Sequence, residues 1–291
     1  MQNHIQSISF TQENTKSKLN EDWLCADRAN GVFAVADGVS RSRVNGVYPA
    51  LSAVHAAARF CDRTTSALAK ISVSVEREES FYNAFLYANL AIAECNHAYG
   101  ITADTVDYLH NDYLACVGIA GRFNYFYPQR FEYGYLGDCG LFVYDKDYFP
   151  KFLSQDLIGV LEKFRGEWGF QTKDEESIFW RMKLRNRPGS SHMSYGALTG
   201  ELAALSYLKT GYVDLCPGDV GILFSDGIYP FLFNREFRAR IANGLNKHGS
   251  AINIHEDLIE YINFISPDME RRGIGNLDDD KTFIALTCYD D

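Results

Sequence analysis

The sequence predicts an α+β protein: one domain spanning residues 1–291, with two antiparallel sheets packed together and helices outside. Three observations predict it. Hydrophobic periodicity runs in the order strands, two helices, strands, two helices, strand, with no internal repeat. The run Val32-Phe-Ala-Val-Ala36 is apolar without alternation, which is the pattern of a strand covered on both faces. A hydrophobic fraction of 46% and an aromatic fraction of 14% in 291 residues supply a sizeable core.

Taken in order, Ile5 to Thr11 reads as an edge strand, followed by a polar stretch with Lys16 and Lys18 ahead of Asn20-Glu21-Asp22. Trp23 to Ala26, a turn over Asp27 to Gly31 with Asn-Gly in it, and the strand from Val32 read as a hairpin. Glu21 and Asp22 then begin the strand that pairs with the one ending at Asp37. From Val44 to Phe60 an alanine-rich stretch spaces Val47, Leu51, Val54 and Ala58 as one helical face, and Ser80 to Tyr99 does the same with Phe81, Phe85, Leu86 and Leu90. Asp112 to Phe123 and Asn124 to Tyr144 return to strands, with turns at Pro128-Gln129 and Gly137 to Gly140. Residues 145–208 are less regular and read as a flap-like insertion. Its basic run, Arg181 to Ser191, is taken as a solvated face, with a substrate-facing flap as the alternative. Thr210 to Leu215 and Asp219 to Phe224, joined by Pro217-Gly218, read as a hairpin. Asn234 to Leu245 and His255 to Ile265 read as helices, and Thr282 to Cys288 as the last strand.

Composition narrows the function. A net charge of −10 disfavours non-specific binding to nucleic acid or to anionic membrane, since both need a positive field. No apolar stretch approaches the roughly 20 residues that span a bilayer, and no basic-then-apolar leader opens the sequence, so the expected compartment is the cytoplasm. Seven cysteines without a C-x-x-C pair argue against a disulfide framework and a thiolate zinc site.

The chemistry lies in the acids at strand ends. Asp37-Gly38 closes the Val32 run, Asp226-Gly227 closes Val220 to Phe224, Asp138 stands where one strand turns into the next, and Asp278-Asp279-Asp280 precedes the last strand. Each Asp-Gly alone is a favoured turn dipeptide. In an antiparallel sheet, however, the end of one strand lies beside the start of its neighbour, so these acids can share an edge with Glu21 and Asp22. Such crowding is strongly unfavourable without cations, and an all-oxygen donor set selects Mg²⁺ or Mn²⁺ over zinc.

Asn20-Glu21-Asp22, Ala36-Asp37-Gly38, Leu136-Gly137-Asp138, Pro217-Gly218-Asp219…Ser225-Asp226-Gly227 and Asp279-Asp280-Lys281-Thr282 stand in the order found in metal-dependent type 2C (PPM) protein phosphatases. The resemblance spans residues 20 to 286. It implies a four-layer α-β-β-α sandwich and hydrolysis of phosphoserine or phosphothreonine by a water bridging two Mn²⁺ or Mg²⁺ ions. By the same resemblance Asp37, Asp226 and Asp279 hold the binuclear centre and are catalytic, with the Gly38 carbonyl on the second ion. Asp138 serves a third ion, and Glu21 and Asp22 hold metal-bound waters. The implied partner is a phosphorylated protein, a protein kinase or its target. Departures from the family pattern are Val39 where many relatives carry a histidine, Ser40 and Arg41 where two glycines are usual, and Cys139-Gly140 where Ser-Arg is common. Val39 points to a bacterial-type enzyme. The family's phosphate-binding arginine falls on Ser17, which leaves Lys16, Lys18, Arg41 or Arg43 to hold the phosphate.

Two rivals stand beside this reading. Cys116-Val-Gly-Ile-Ala-Gly-Arg122 has the C-x5-R spacing of cysteine-dependent phosphatases, but it lacks the histidine before the Cys and the hydroxyl after the Arg, and a buried strand explains it better. The altered Val39 to Arg41 loop also admits a catalytically weak binding or sensing module. No H-x-H, H-E-x-x-H, G-x-S-x-G or phosphate-binding-loop pattern is present.

Overall fold

The computed structural model describes residues 4–14, 19–42, 49–71, 75–164, 167–246, 251–275 and 277–289. In chain order the strands and helices of its first half are β1 (His4–Gln12), β2 (Trp23–Asp27), β3 (Val32–Gly38), α1 (Val54–Lys70), α2 (Arg77–Ala98), β4 (Cys116–Phe123), β5 (Arg130–Leu136) and β6 (Gly140–Tyr144). There follow β7 (Pro150–Leu153), α3 (Gly159–Lys163), α4 (Lys173–Lys183), β8 (Lys209–Asp214), β9 (Val220–Phe224), α5 (Tyr229–Leu232), α6 (Arg235–Asn246), α7 (Ala251–Arg271) and β10 (Lys281–Tyr289). They build two five-stranded antiparallel sheets, ordered β1-β10-β9-β6-β7 and β2-β3-β4-β5-β8.

The period-two geometry of strands divides the core. In the first sheet Leu141, Val143, Leu223, Ile284 and Leu286 face the second sheet and join its buried residues. The alternating Phe142, Tyr144, Ile222, Phe224 and Phe283 face the other way, onto Phe237, Ile241, Leu258 and Ile262 of α6 and α7. On the far side Phe60, Phe81 and Phe85 of α1 and α2 cover the second sheet, with Phe60 and Phe85 at a centroid separation of 5.0 Å. The layers are therefore helices, sheet, sheet, helices.

Three sequence readings need correction, two of secondary structure and one of burial. The helix expected over Val44 to Phe60 begins at Val54 and runs on to Lys70. Glu21 accepts from Ala53 N and Ser52 Oγ at 2.9 Å each, which starts the helix one residue later. Of the earlier part, residues 43–48 lie outside the described residues. The hairpin expected across Pro217-Gly218 is instead a crossing between sheets: β8 pairs with β5, and β9 with β10 and β6. The all-buried Val-Gly-Ile-Leu-Phe of β9 needs a central place, whereas the half-exposed Lys-Thr-Gly-Tyr-Val-Asp of β8 suits an edge.

Within residues 145–208, Thr172 caps α4 by accepting from Glu175 N at 3.1 Å, and Gln171 N donates to the Glu175 carboxylate in return. The solvated-face reading of the basic run fails for two of its arginines: Arg181 is 8% exposed and Arg185 1%. Arg181 in the last turn of α4 and Arg185 just beyond its end both meet the buried Asp112, with Arg185 Nη2 at 2.7 Å and Arg181 Nε at 3.5 Å from its carboxylate. Removing Asp112 leaves two buried guanidinium groups uncompensated. Asp112→Ala is expected to lose about 3–5 kcal/mol in urea unfolding, and a loss under 1 kcal/mol would show the pairs to be incidental.

Candidate metal centre

Apart from Asp219, which stands at the start of β9 and pairs with Lys151, the acids of the ordered motif set lie at one end of the paired strands. Asp37 ends β3 opposite Val117 of β4, Asp138 sits in the short link that carries the chain from β5 across to β6, and Asp226 follows β9. Asp279 stands two residues before β10, and Glu21 and Asp22 immediately precede β2. Antiparallel pairing of β2 with β3 and of β9 with β10 is what aligns these starts and ends.

Asp37, Gly38, Asp138, Asp226 and Asp279 all line one cleft of about 860 Å³. Close packing around its carboxylate, and then the charges of Asp22, Asp226, Asp279 and Asp138, push the Asp37 carboxyl well above the usual range. Burial first, with Asp280 and Asp226 adding, pushes Asp22 up to about 8, although its Oδ2 accepts from Ser225 Oγ at 2.7 Å. Asp22 Oδ1 is buried without a hydrogen-bond partner among the described residues.

Behind this layer stand residues that shape the turns. Asp280 accepts from Glu21 N, Asn14 N and Asn14 Nδ2 at 2.9 Å each, and Lys281 Nζ donates to the carbonyls of Leu277 and Asp279. Glu21 does not line the cleft: its Oε2 accepts from Ser40 Oγ at 2.7 Å, and its Oε1 holds Ser52 and Ala53. Gly38 and Gly227 allow close approach of backbone. A Cβ on Gly38 would lie 2.8 Å from the Glu21 carbonyl oxygen, and one on Gly227 only 2.0 Å from that of Asp280. Because backbone cannot yield as a side-chain tip does, Gly227→Ala is expected to cost about 3 kcal/mol or more in thermal unfolding. Wild-type stability in that variant would contradict the packing described.

Of the residues considered for holding phosphate, Lys16, Lys18 and Arg43 lie outside the described residues. Arg41 is buried behind the loop, donating to Leu51 O at 3.4 Å and Asn111 Oδ1 at 3.3 Å. The cation that does line the cleft is Arg181, the one lysine or arginine to do so among the described residues, joined by Trp180 and Tyr195. Arg181 heads the basic run for which a substrate-facing flap is the alternative reading, whereas neither Trp180 nor Tyr195 is a site candidate in the sequence analysis; the available signal was the four-residue spacing of Arg181 and Arg185 beside Trp180 and Leu184. The thiol-phosphatase rival fails on geometry. Cys116 and Arg122 stand near opposite ends of β4, where Arg122 pairs with Glu132 at 3.2 Å, and burial with the Asp37 charge pushes the Cys116 thiol well up.

A hard divalent cation fits this donor set: the oxygens are carboxylate and carbonyl, they repel one another, and a buried Asp22 oxygen lacks a hydrogen-bond partner among the described residues. Among the described residues no three His, Cys, Asp or Glu side chains close on a single point, so the acids stand around the cleft wall rather than forming a cage.

No known protein-family pattern matches the sequence, and no curated protein matches it. Solved structures do. The serine/threonine phosphatase PstP/Ppp of Mycobacterium tuberculosis matches with a TM-score of 0.60 at 17% identity, over 98% of this chain and 99% of that one. The catalytic domain of PstP in complex with 2 manganese ions matches with a TM-score of 0.59 at 16% identity, over 98% and 99%. PppA, described as a key regulatory component of T6SS in Pseudomonas aeruginosa, matches with a TM-score of 0.59 at 14% identity, over 98% of both chains. The chain thus has the fold of bacterial PPM-type serine/threonine phosphatases.

Proposed function

We propose that this protein is a metal-dependent phosphoprotein phosphatase acting on phosphoserine or phosphothreonine in the cytoplasm. The observation that carries the reading is the convergence of Asp37, Asp138, Asp226 and Asp279 on one cleft, with Asp37 facing four other carboxylates. Asp37, Asp226, Asp279 and the Gly38 carbonyl would hold two Mn²⁺ or Mg²⁺ ions, with Asp138 serving a third. Bound there, the ions supply Lewis acidity to a water nucleophile and to the phosphoryl oxygens.

The chain's own residues do the rest. Asp22 braces the site through Ser225, and Glu21 fixes the loop after Gly38 through Ser40. On the cleft wall the exposed Tyr229 gives a peptide chain apolar surface to lie against. Lys16, Lys18 and Arg43 are the candidates to receive the phosphate. The partner is a phosphorylated protein, a kinase or its target; among the described residues no helix is long and apolar enough to cross a membrane.

The absence of a closed three-ligand set among the described residues favours a second reading, a weakly catalytic binding or sensing module. Hydrolysis of p-nitrophenyl phosphate separates the two. The phosphatase is expected to turn over with Mn²⁺ and to stop in EDTA. Full activity after EDTA and dialysis would sink the metal mechanism, and no turnover with saturating Mn²⁺ would leave the binding module.

A further inference from the structure

The insertion and the loop after Asp37-Gly38 are joined through one side chain. From α4, Arg181 Nη2 donates to the Ser40 carbonyl at 2.5 Å and Nη1 donates to Ser42 Oγ at 2.8 Å, while Nε lies 3.5 Å from Asp112 Oδ2. From the opposite side the same loop is tied to Glu21 by Ser40 Oγ. The loop, Val39-Ser40-Arg41-Ser42, contains no glycine and starts on the residue that follows the Gly38 carbonyl. Asp112 also holds Arg185 at 2.7 Å, so α4, the approach to β4 and the loop form one buried polar network.

We infer that Arg181 is a positioning residue: it fixes the backbone after Gly38, so that docking of the 145–208 insertion sets the shape of the acid-lined cleft. A planar guanidinium spans two acceptors on one loop, which a lysine ammonium, as a point charge, does not do in the same geometry. Because Asp112 keeps Arg185, loss of Arg181 strands no carboxylate. The kinetic part of the inference rests on the phosphatase reading; the structural part does not.

The test uses the full chain with Arg181→Met, Arg181→Lys and Ser42→Ala, read by amide hydrogen exchange, calorimetric Mn²⁺ titration and steady-state kinetics. In Arg181→Met, exchange at residues 38–42, including Val39 N–H that bonds Ala115 O at 2.9 Å, is expected to rise about 10-fold or more. Mn²⁺ should bind roughly 5–10-fold more weakly, and kcat should fall about 10-fold or more with KM within about threefold. Arg181→Lys should restore the melting midpoint without restoring loop protection, and Ser42→Ala should lie between wild type and Arg181→Met. Unchanged exchange at residues 38–42 in Arg181→Met overturns the inference. So does a KM raised about 10-fold with kcat retained, which would make Arg181 a direct anion-binding group. Should Arg181→Met fail to fold, Ser42→Ala decides by the same exchange readout. If the wild type hydrolyses no phosphate ester even with Mn²⁺, the phosphatase reading fails while the exchange comparison still decides this one.

Discussion

Asp37→Asn is expected to abolish metal-dependent hydrolysis, lowering kcat about 10³-fold or more, while Cys116→Ser leaves turnover within about twofold. Asp37 is the carboxylate on which the charges of Asp22, Asp138, Asp226 and Asp279 all act, so it is the one whose loss most weakens the hold on a cation. An amide keeps the shape but brings no charge and only one oxygen. Cys116 is adjacent, pairing with Gly38 across β3 and β4, yet it has no route to the chemistry. Its thiol is buried and held neutral, and Arg122 lies six residues along the same strand, about 20 Å away at 3.3 Å per residue. Initial rates on p-nitrophenyl phosphate and on a phosphopeptide, across a Mn²⁺ titration, distinguish the cases. A near-normal Asp37→Asn enzyme, or a 10³-fold loss in Cys116→Ser, would overturn the assignment.

The second large effect is on stability without metal. An aspartate titrates near 3.9 in the unfolded chain, whereas Asp22 in the folded protein does so at about 8. The folded state therefore holds that proton more tightly. The contribution is fully present below pH ~4 and is lost as pH rises through 8, a penalty on the order of 5 kcal/mol. In EDTA the wild type should melt lower at pH 8 than at pH 5. Asp22→Asn removes the titrating group while an amide oxygen can still accept from Ser225 Oγ, so at pH 8 in EDTA it should melt higher than wild type, by about 10 °C. The difference should shrink towards pH 4. Mn²⁺ at 100 times its dissociation constant should stabilise the wild type by ~2.7 kcal/mol and the variant by less. Differential scanning calorimetry at pH 4, 5 and 8, with EDTA and with Mn²⁺, is the measurement. A variant that melts below wild type at pH 8 in EDTA would show that Asp22 is a structural carboxylate, stabilised by its neighbours rather than strained by them.

Sequence by itself determined the strands with unmixed apolar runs, the hairpin of β2 and β3, the edge position of β1, the helices α2, α6 and α7, and the placing of an acid at each strand end. Those features are local: apolar period, turn dipeptides and the abrupt change from Phe224 to Asp226 are properties of neighbours along the chain. Antiparallel pairing then made a shared acidic edge an economical inference. What only the tertiary structure decided was every question of which distant surface a segment meets. Whether β8 continues into β9 as a hairpin or crosses between sheets depends on where each strand can bury its faces, and the turn residues at Pro217-Gly218 allow both. The start of α1 depends on Glu21, 32 residues away, reaching Ala53 N–H. The basic run looked like a solvated face because arginine is costly to bury, and it is buried because Asp112, remote in sequence, offsets that cost for Arg181 and Arg185 together.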